Sequence, residues 1–396
     1  MTARGDVKPA VRRGQWQTAA DVLALIARQP GITRAAVARE LRLSTSSTTE
    51  LTARLRDLHL LTETPAPSQG RGRPTTVLRP HPRGPVVLAM ELQLADWQSA
   101  VVSLDGVLIE QQSKRHRNRR PDAVLAVLRA EVERAKAQYG ERLLAVSLAV
   151  AGTVRENRLM QATTLGWSEL DLSPVVAGTG LPLLVGNDAT LSGVAEARTG
   201  AAAGAGTALH LIVEVGVGGT LILDGIPASG ATGAGGEYGH MPFGDRSRSC
   251  PCGARGCWDL EIDGRALARH LGDPAPDDPY AYAEELLQRI AEQPVRRAVD
   301  RVVTALAEGI AGLVNANDPA VVTIGGLAIP LRAAAPAVFA NAYTDGLMTF
   351  HRSAPPPVLD STHQETGPLL GAAALGLDHI TTESTLAHWN DRFSRT

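Results

Sequence analysis

Four residues stand close enough in the chain to hold one ion. His240, Cys250, Cys252 and Cys257 form the pattern H-x9-C-x-C-x4-C, and these are all the cysteines among 396 residues. An odd set of cysteines packed into eight positions points to metal ligands before disulfides. Three thiolates and one imidazole suit tetrahedral Zn2+. Gly253 and Gly256 permit the tight turns that bring the cysteines back onto one ion. Four protein ligands leave no open position, so the expected metal is structural. The alternative, three inert buried thiols beside an unrelated histidine, does not explain why every cysteine falls in one stretch. Glu237 lies one turn before His240, and Asp259 lies two residues after Cys257. A filled site would therefore fix two carboxylates on one wall.

Charge divides the chain that must position this knot. The formal net charge is −2. Residues 1–85 carry 14 Arg and Lys against 6 Asp and Glu, whereas residues 86–396 carry 25 against 35. A head of +8 on a body of −10 suggests an anionic partner for one end only. The basic side is almost all arginine, as a GC-rich genome would also produce; Lys8, Lys114 and Lys136 are the lysines. The length and an apolar content of 44% allow two or three domains with a sizeable core. That excludes a disordered chain and a small disulfide scaffold. No apolar stretch follows Met1, so no secretory signal is expected. The most apolar long run, Leu209–Leu223, is broken by His210, Glu214 and glycines and is shorter than the ~20 residues of a bilayer span. A cytoplasmic protein with no membrane partner is expected.

In the head, residues 17–28 read as an amphipathic helix with Ala20, Val22, Leu23, Leu25 and Ile26 inward. Pro30-Gly31 ends it. Thr33 can cap a second helix carrying Ala36, Val37 and Leu41, and Ser44 a third running to about Leu58. Two helices joined by a tight turn, with a small polar leading face, make a helix-turn-helix whose second helix enters the major groove. Its expected DNA contacts are Ser44, Thr45, Ser46, Ser47 and Thr48. Leu60–Glu63 and Thr75–Leu78 read as the strands of a wing, and Gly70-Arg71-Gly72-Arg73-Pro74 as its tip. Arg71 and Arg73, flanked by glycine, suit a narrow minor groove. Residues 1–80 form this winged helix-turn-helix domain, and 81–85 a stiff polar linker.

The body repeats a plan. Strands Val86–Leu92 and Ser99–Leu104 end in Leu-Asp-Gly, followed by Val107–Gln111. Strands Ala208–Val215 and Gly219–Leu223 end in a second Leu-Asp-Gly about 119 residues later. Helical stretches follow each, at Pro121–Tyr139 and Val295–Asn315. Duplicated α/β units suggest a two-lobed, actin-like body with a cleft. Lobe 1 is placed at 86–195, completed by the helical segment 370–396, and lobe 2 at 196–369 with the zinc knot at 240–257.

These motifs resemble the ROK family of repressors, open reading frames and sugar kinases. In the head the resemblance rests on Val37-Ala38-Arg39-Glu40, Leu43-Ser44, Leu55–Leu60 and Gly72-Arg73-Pro74. In the body it rests on Val146–Gly152, Leu165-Gly166-Trp167, Val185–Ala189, Gly216–Gly219, Gly235–His240 and Val322–Gly326, and on the zinc spacing. The resemblance implies a winged helix-turn-helix fused to a sugar-kinase-like α/β body with a structural zinc knot. It also implies that Asn187, Asp188, Glu237, His240 and Asp259 hold a sugar. Asp259 is one methylene shorter than the family's glutamate, and Glu261 is an alternative for that position. Asn187-Asp188 also reads as a turn dipeptide that caps the following helix. In the family's kinases the residue at 188 is the general base, which here would be vestigial.

Those kinases place D-x-G-G-T at the first hairpin, so that backbone N–H groups reach ATP phosphate. The aligned stretch here is Glu91-Leu92-Gln93-Leu94-Ala95, which has no glycine and no threonine. The reading is a sugar-responsive DNA-binding regulator, most directly a repressor of carbohydrate genes, and not an enzyme. The alternative is an active sugar kinase with a fused DNA-binding head. Expected partners are operator DNA, a sugar, and a second copy in a homodimer or homotetramer. Regulation by a phosphotransfer-system protein also occurs in the family.

Overall fold

The computed structural model describes residues 9–29, 31–66, 76–93, 96–118, 120–162 and 165–393. Arg71 and Arg73, and Leu94 and Ala95, lie outside the described residues. The head opens with α1 (Pro9–Arg28), which starts eight positions before the amphipathic pattern; α2 (Arg34–Glu40) and α3 (Thr45–Asp57) follow. Thr33 accepts from Ala36 N–H, and Ser44 from Ser47 N–H, so both expected caps form. β1 (Leu61–Pro65) and β2 (Thr76–Pro80) pair antiparallel as the wing.

Ser44, Thr45, Ser46 and Ser47 are exposed along the start of α3. Thr48 corrects the expected DNA face: it is 1% exposed, on the inner side with Thr52 and Leu55. Its hydroxyl donates to Ser44 C=O at 2.9 Å, which removes the cost of burying it.

Lobe 1 contains β3 (Val86–Leu92), β4 (Asp96–Ser103), β5 (Leu108–Arg115), α4 (Pro121–Tyr139) and β6 (Leu143–Val150). A small sheet of β7 (Thr153–Arg155), β8 (Arg158–Ala162) and β9 (Trp167–Asp171) precedes β10 (Leu183–Asn187) and α5 (Asp188–Thr199). Lobe 2 runs through β11 (Thr207–Glu214), β12 (Gly216–Leu223), β13 (Ile226–Pro227), α6 (Gly264–Leu271), α7 (Pro279–Gln288), α8 (Gln293–Asn317) and β14 (Val321–Gly326). It continues through α9 (Ala328–Ala334), α10 (Pro336–Gly346), α11 (Thr349–Arg352) and β15 (Val358–Asp360), and the chain ends with α12 (Gly367–Ile380) and α13 (Glu383–Phe393).

The two sheets have one topology. Their orders are β5-β4-β3-β6-β10 and β13-β12-β11-β14-β15. In each, an antiparallel meander joins two parallel strands. The central strands are apolar on both faces because helices cover both. The helix after each last strand crosses over: α5 packs on β11 and β12, α12 packs on β3 and β6, and the two helices lie along each other.

The head is not on a free tether. Trp16, Leu25, Ile26, Leu58 and Leu60 share one apolar cluster with Val87, Ala89, Leu369, Ile380, Leu386 and Trp389. α13, grouped with lobe 1 by sequence, packs against α1. Trp389 Nε1 donates to Leu58 C=O at 2.8 Å, at the end of α3. The linker is docked as well. Arg142 donates to Gly84 C=O and Pro82 C=O, and the His59 and His81 rings stack with centroids 4.4 Å apart.

Candidate functional site

Short turns build the metal knot. Cys250 N–H donates to Ala254 C=O, Gly253 N–H to Cys250 C=O, and Gly256 N–H to Arg248 C=O. Buried Trp258, next to the last cysteine, anchors the knot to α8 through Nε1 on Ala305 C=O. The ligand atoms of His240, Cys250, Cys252 and Cys257 all lie within 4.8 Å of one another. Cys252 Sγ and Cys257 Sγ are 3.6 Å apart, and Cys250 Sγ and His240 Nδ1 3.9 Å. Tetrahedral zinc with normal bond lengths spaces its ligands by roughly 3.5–3.8 Å, so the donor set fits that ion. Burial and the neighbouring thiols push the Cys257 thiol up to about 12. A cation among the sulfurs reverses that preference.

His240 turns one nitrogen to each task. Nδ1 faces the cysteines, while Nε2 lies 3.9 Å from Glu237 Oε2. Asn187 caps α5: its Oδ1 accepts from Thr190 N–H, and its Nδ2 donates to Gly152 C=O and to Asp188 Oδ1. The capping reading of this dipeptide therefore holds. Asp188 Oδ1 also accepts from Ala189 N–H, and no described side chain hydrogen-bonds its Oδ2. Burial, then the charge of Glu237, raises the Asp188 carboxyl above its ordinary range.

Asp259 and Glu261 part company. Asp259 Oδ1 accepts from Val217 N–H at 2.7 Å, and its Oδ2 lies 3.7 Å from His240 Nδ1. This carboxylate staples the knot to the start of β12. Glu261 is held by Arg248 and Arg269 and by Asp245 N–H.

Two further acids lie on corresponding strands of the two lobes. Glu91, near the end of β3, is 3% exposed, and its oxygens accept from Gln93 Nε2 and Gln98 Nε2, each at 2.7 Å. Burial pushes it up to about 8 against the two amides, helped by the charges of Asp188 and Glu214. Glu214 ends β11 and stays open to solvent, yet the surrounding protein, then Asp188 and Glu365, push it up to about 7. Sequence motifs did not single out Glu214, because its role depends on the fold of the second lobe. They also missed Thr153, whose Oγ1 donates to Glu237 Oε1 at 2.7 Å.

A model of the ROK family matches residues 89–379. The chain belongs to the ROK family. A MarR family model matches residues 16–72, so this ROK protein carries a MarR-type DNA-binding domain at its head. Glucokinase of Streptomyces coelicolor is 28% identical over 229 residues, covering 52% of this chain and 71% of the relative. Xylose repressor of Bacillus subtilis is 27% identical over 135 residues, 34% of this chain and 35% of that protein. Among solved structures, a ROK family transcriptional regulator described as a homologue of the E. coli MLC protein superposes with a TM-score of 0.76 at 22% identity. It covers 95% of this chain and 99% of its own. A ROK family glucokinase from Streptomyces griseus gives 0.61 at 21%, covering 73% and 98%. No described helix is long and apolar enough to cross a membrane.

Proposed function

We propose that this ROK protein is a cytoplasmic, sugar-responsive transcriptional regulator, most directly a repressor of carbohydrate uptake or catabolism genes. The observation that carries the choice over a kinase is the side chain of Gln93, which stands where the family's kinases have the first glycine of their phosphate-binding turn. Phosphoryl transfer depends on donors aimed at phosphate oxygens. At the first hairpin Gln93 carries a side chain in place of that glycine, and its amide is committed to Glu91 Oε1 at 2.7 Å. Glu214 adds a second carboxyl at the equivalent strand of lobe 2.

The other side of the cleft suits hydroxyl groups. With Nδ1 turned to the metal site, His240 carries its proton on Nε2 and donates, while Glu237 Oε2 accepts. The 3.9 Å between them is too wide for a direct hydrogen bond. One ligand hydroxyl at about 2.8 Å from each bridges the gap. Asp188 and Asn187 on lobe 1 face the same ligand, and Asp259 closes the wall behind His240. A zinc ion held by His240, Cys250, Cys252 and Cys257 supplies rigidity there and no reaction chemistry.

The route to the head runs through α5, which begins at Asp188, then α12 beside it, then α13 and Trp389 on Leu58. Sugar binding that closes the lobes shifts this stack, and the size of the effect equals the ligand's differential affinity for the two states. Exposed Ser44–Ser47 and the wing arginines Arg71 and Arg73 meet DNA, as a homodimer or homotetramer on paired half-sites. A phosphotransfer-system protein is a further candidate partner.

The kinase reading is supported by Asp188 at the start of α5 with a raised carboxyl, and by the retained Gly216–Gly219 turn. A coupled ATPase assay over hexoses, pentoses and amino sugars decides between the two. No turnover supports the regulator. Turnover lost in Asp188→Asn makes the protein a kinase.

A further inference from the structure

Thr153 and Glu237 lie in different lobes and 84 positions apart, yet the Thr153 hydroxyl donates to Glu237 Oε1 at 2.7 Å. The backbones carrying the pair have little freedom. Gly152, just before Thr153, has its carbonyl held by Asn187 Nδ2 at 3.1 Å. On the other side, a Cβ at Gly236 would collide with Gly219 C=O. The same loop touches β7 directly, since a Cβ at Gly233 would lie 2.7 Å from Val154 C=O. The hydroxyl and the carboxylate are thus presented to each other by two fixed strips of main chain, one from each lobe.

We propose that Thr153 is a positioning residue of the effector pocket. By holding Glu237 Oε1 it aims Oε2 at the space beside His240 Nε2, and it ties the lobes together across the cleft. The affinity consequence rests on the reading that the cleft binds a sugar; the tie between the lobes does not. The side chain of Glu237 is 40% exposed, and its other described contact is the 3.9 Å approach to His240. Without the threonine hydroxyl the carboxylate rotates among rotamers. The two-point grip on a ligand hydroxyl then pays an ordering cost it does not meet in the wild type. Because the hydrogen bond crosses the lobes, the atom that aims Glu237 also opposes their separation.

The test uses the full-length, zinc-loaded protein as wild type, Thr153→Val and Thr153→Ser. Valine keeps the shape and removes the donor; serine keeps the donor. Amide exchange of the ligand-free proteins is followed at residues 153–155 and 233–237. Calorimetric titrations use D-glucose, D-xylose and N-acetyl-D-glucosamine as probes. Exchange is expected to rise in both segments in Thr153→Val, with the melting temperature and exchange elsewhere unchanged. Affinity for a probe that binds the wild type should fall roughly tenfold, the usual effect of losing one hydrogen bond to a charged group. Thr153→Ser should restore both. Wild-type exchange in Thr153→Val, equal behaviour of the two variants, or a bound probe indifferent to valine overturns the proposal. If none of the three sugars binds the wild type, that counts against the sugar reading, and the exchange arm alone decides on Thr153.

Discussion

Replacing Glu91 by glutamine should remove a pH dependence from the stability of lobe 1. The carboxyl ordinarily titrates at 4.5 and is pushed up to about 8 by burial and by Asp188 and Glu214, against the pull of two amides. The folded protein therefore holds this proton more tightly than the unfolded chain. The favourable contribution is whole below pH 4.5, shrinks as pH rises, and is gone above about 8. Each pH unit well inside that window changes stability by ~1.4 kcal/mol, and the slope halves at about pH 8, so the wild type should lose roughly 2 kcal/mol relative to the variant between pH 6 and 8. Glutamine mimics the neutral acid, with one acceptor for one glutamine neighbour and one donor for the other after an amide flip. Scanning calorimetry of both proteins across that range reads the difference. For a lobe of this size it is roughly 5–10 °C in the first transition. Glu214 remains in the variant and keeps a shallower slope. Parallel pH profiles for wild type and Glu91→Gln would show that Glu91 is ionised in the fold across that range and would refute the reasoning that burial keeps it neutral.

Other outcomes follow from the same geometry. Glu237→Ala should abolish the response to effector while leaving operator affinity without effector unchanged; a fully inducible variant takes Glu237 out of the pocket. Chelation of zinc should lower the melting temperature and weaken sugar affinity together, because Glu237 and Asp259 flank the ligands; an unchanged melt and titration contradict this. Arg71→Ala with Arg73→Ala should weaken DNA binding and flatten the log–log salt dependence by about 2 if each arginine contacts one phosphate. An unchanged slope places the wing outside the groove.

What was legible in the sequence was what lies close along it. The candidate metal ligands lie within residues 240–257 and are pinned by turns of a few residues, so spacing alone pointed to the cluster. The caps Thr33 and Ser44 were readable for the same reason. The repeated Leu-Asp-Gly unit pointed to a duplication, and the two sheets share one strand order. Thr48 was misplaced because a small hydroxyl residue looks solvent-facing until the helix phase and its bond to Ser44 C=O are known. The ion pairs of Glu261 with Arg248 and Arg269 were not legible either, because they depend on how the knot folds onto α6. Thr153 on Glu237 and Trp389 on Leu58 join residues 84 and 331 positions apart. Such contacts are set by how the lobes and the last helix close on the rest, which no local pattern records.

Operator binding at the head and sugar binding in the cleft should be one coupled equilibrium. The direct measurement titrates the inducing sugar into the free protein and into its complex with the operator fragment, and measures operator affinity with and without sugar. The sugar's affinity is predicted to change on DNA by the same factor by which sugar changes DNA affinity, on the order of 5–150-fold, with no ADP formed when ATP is present. Equal sugar affinity on and off DNA, or ADP release that depends on Asp188, would contradict it.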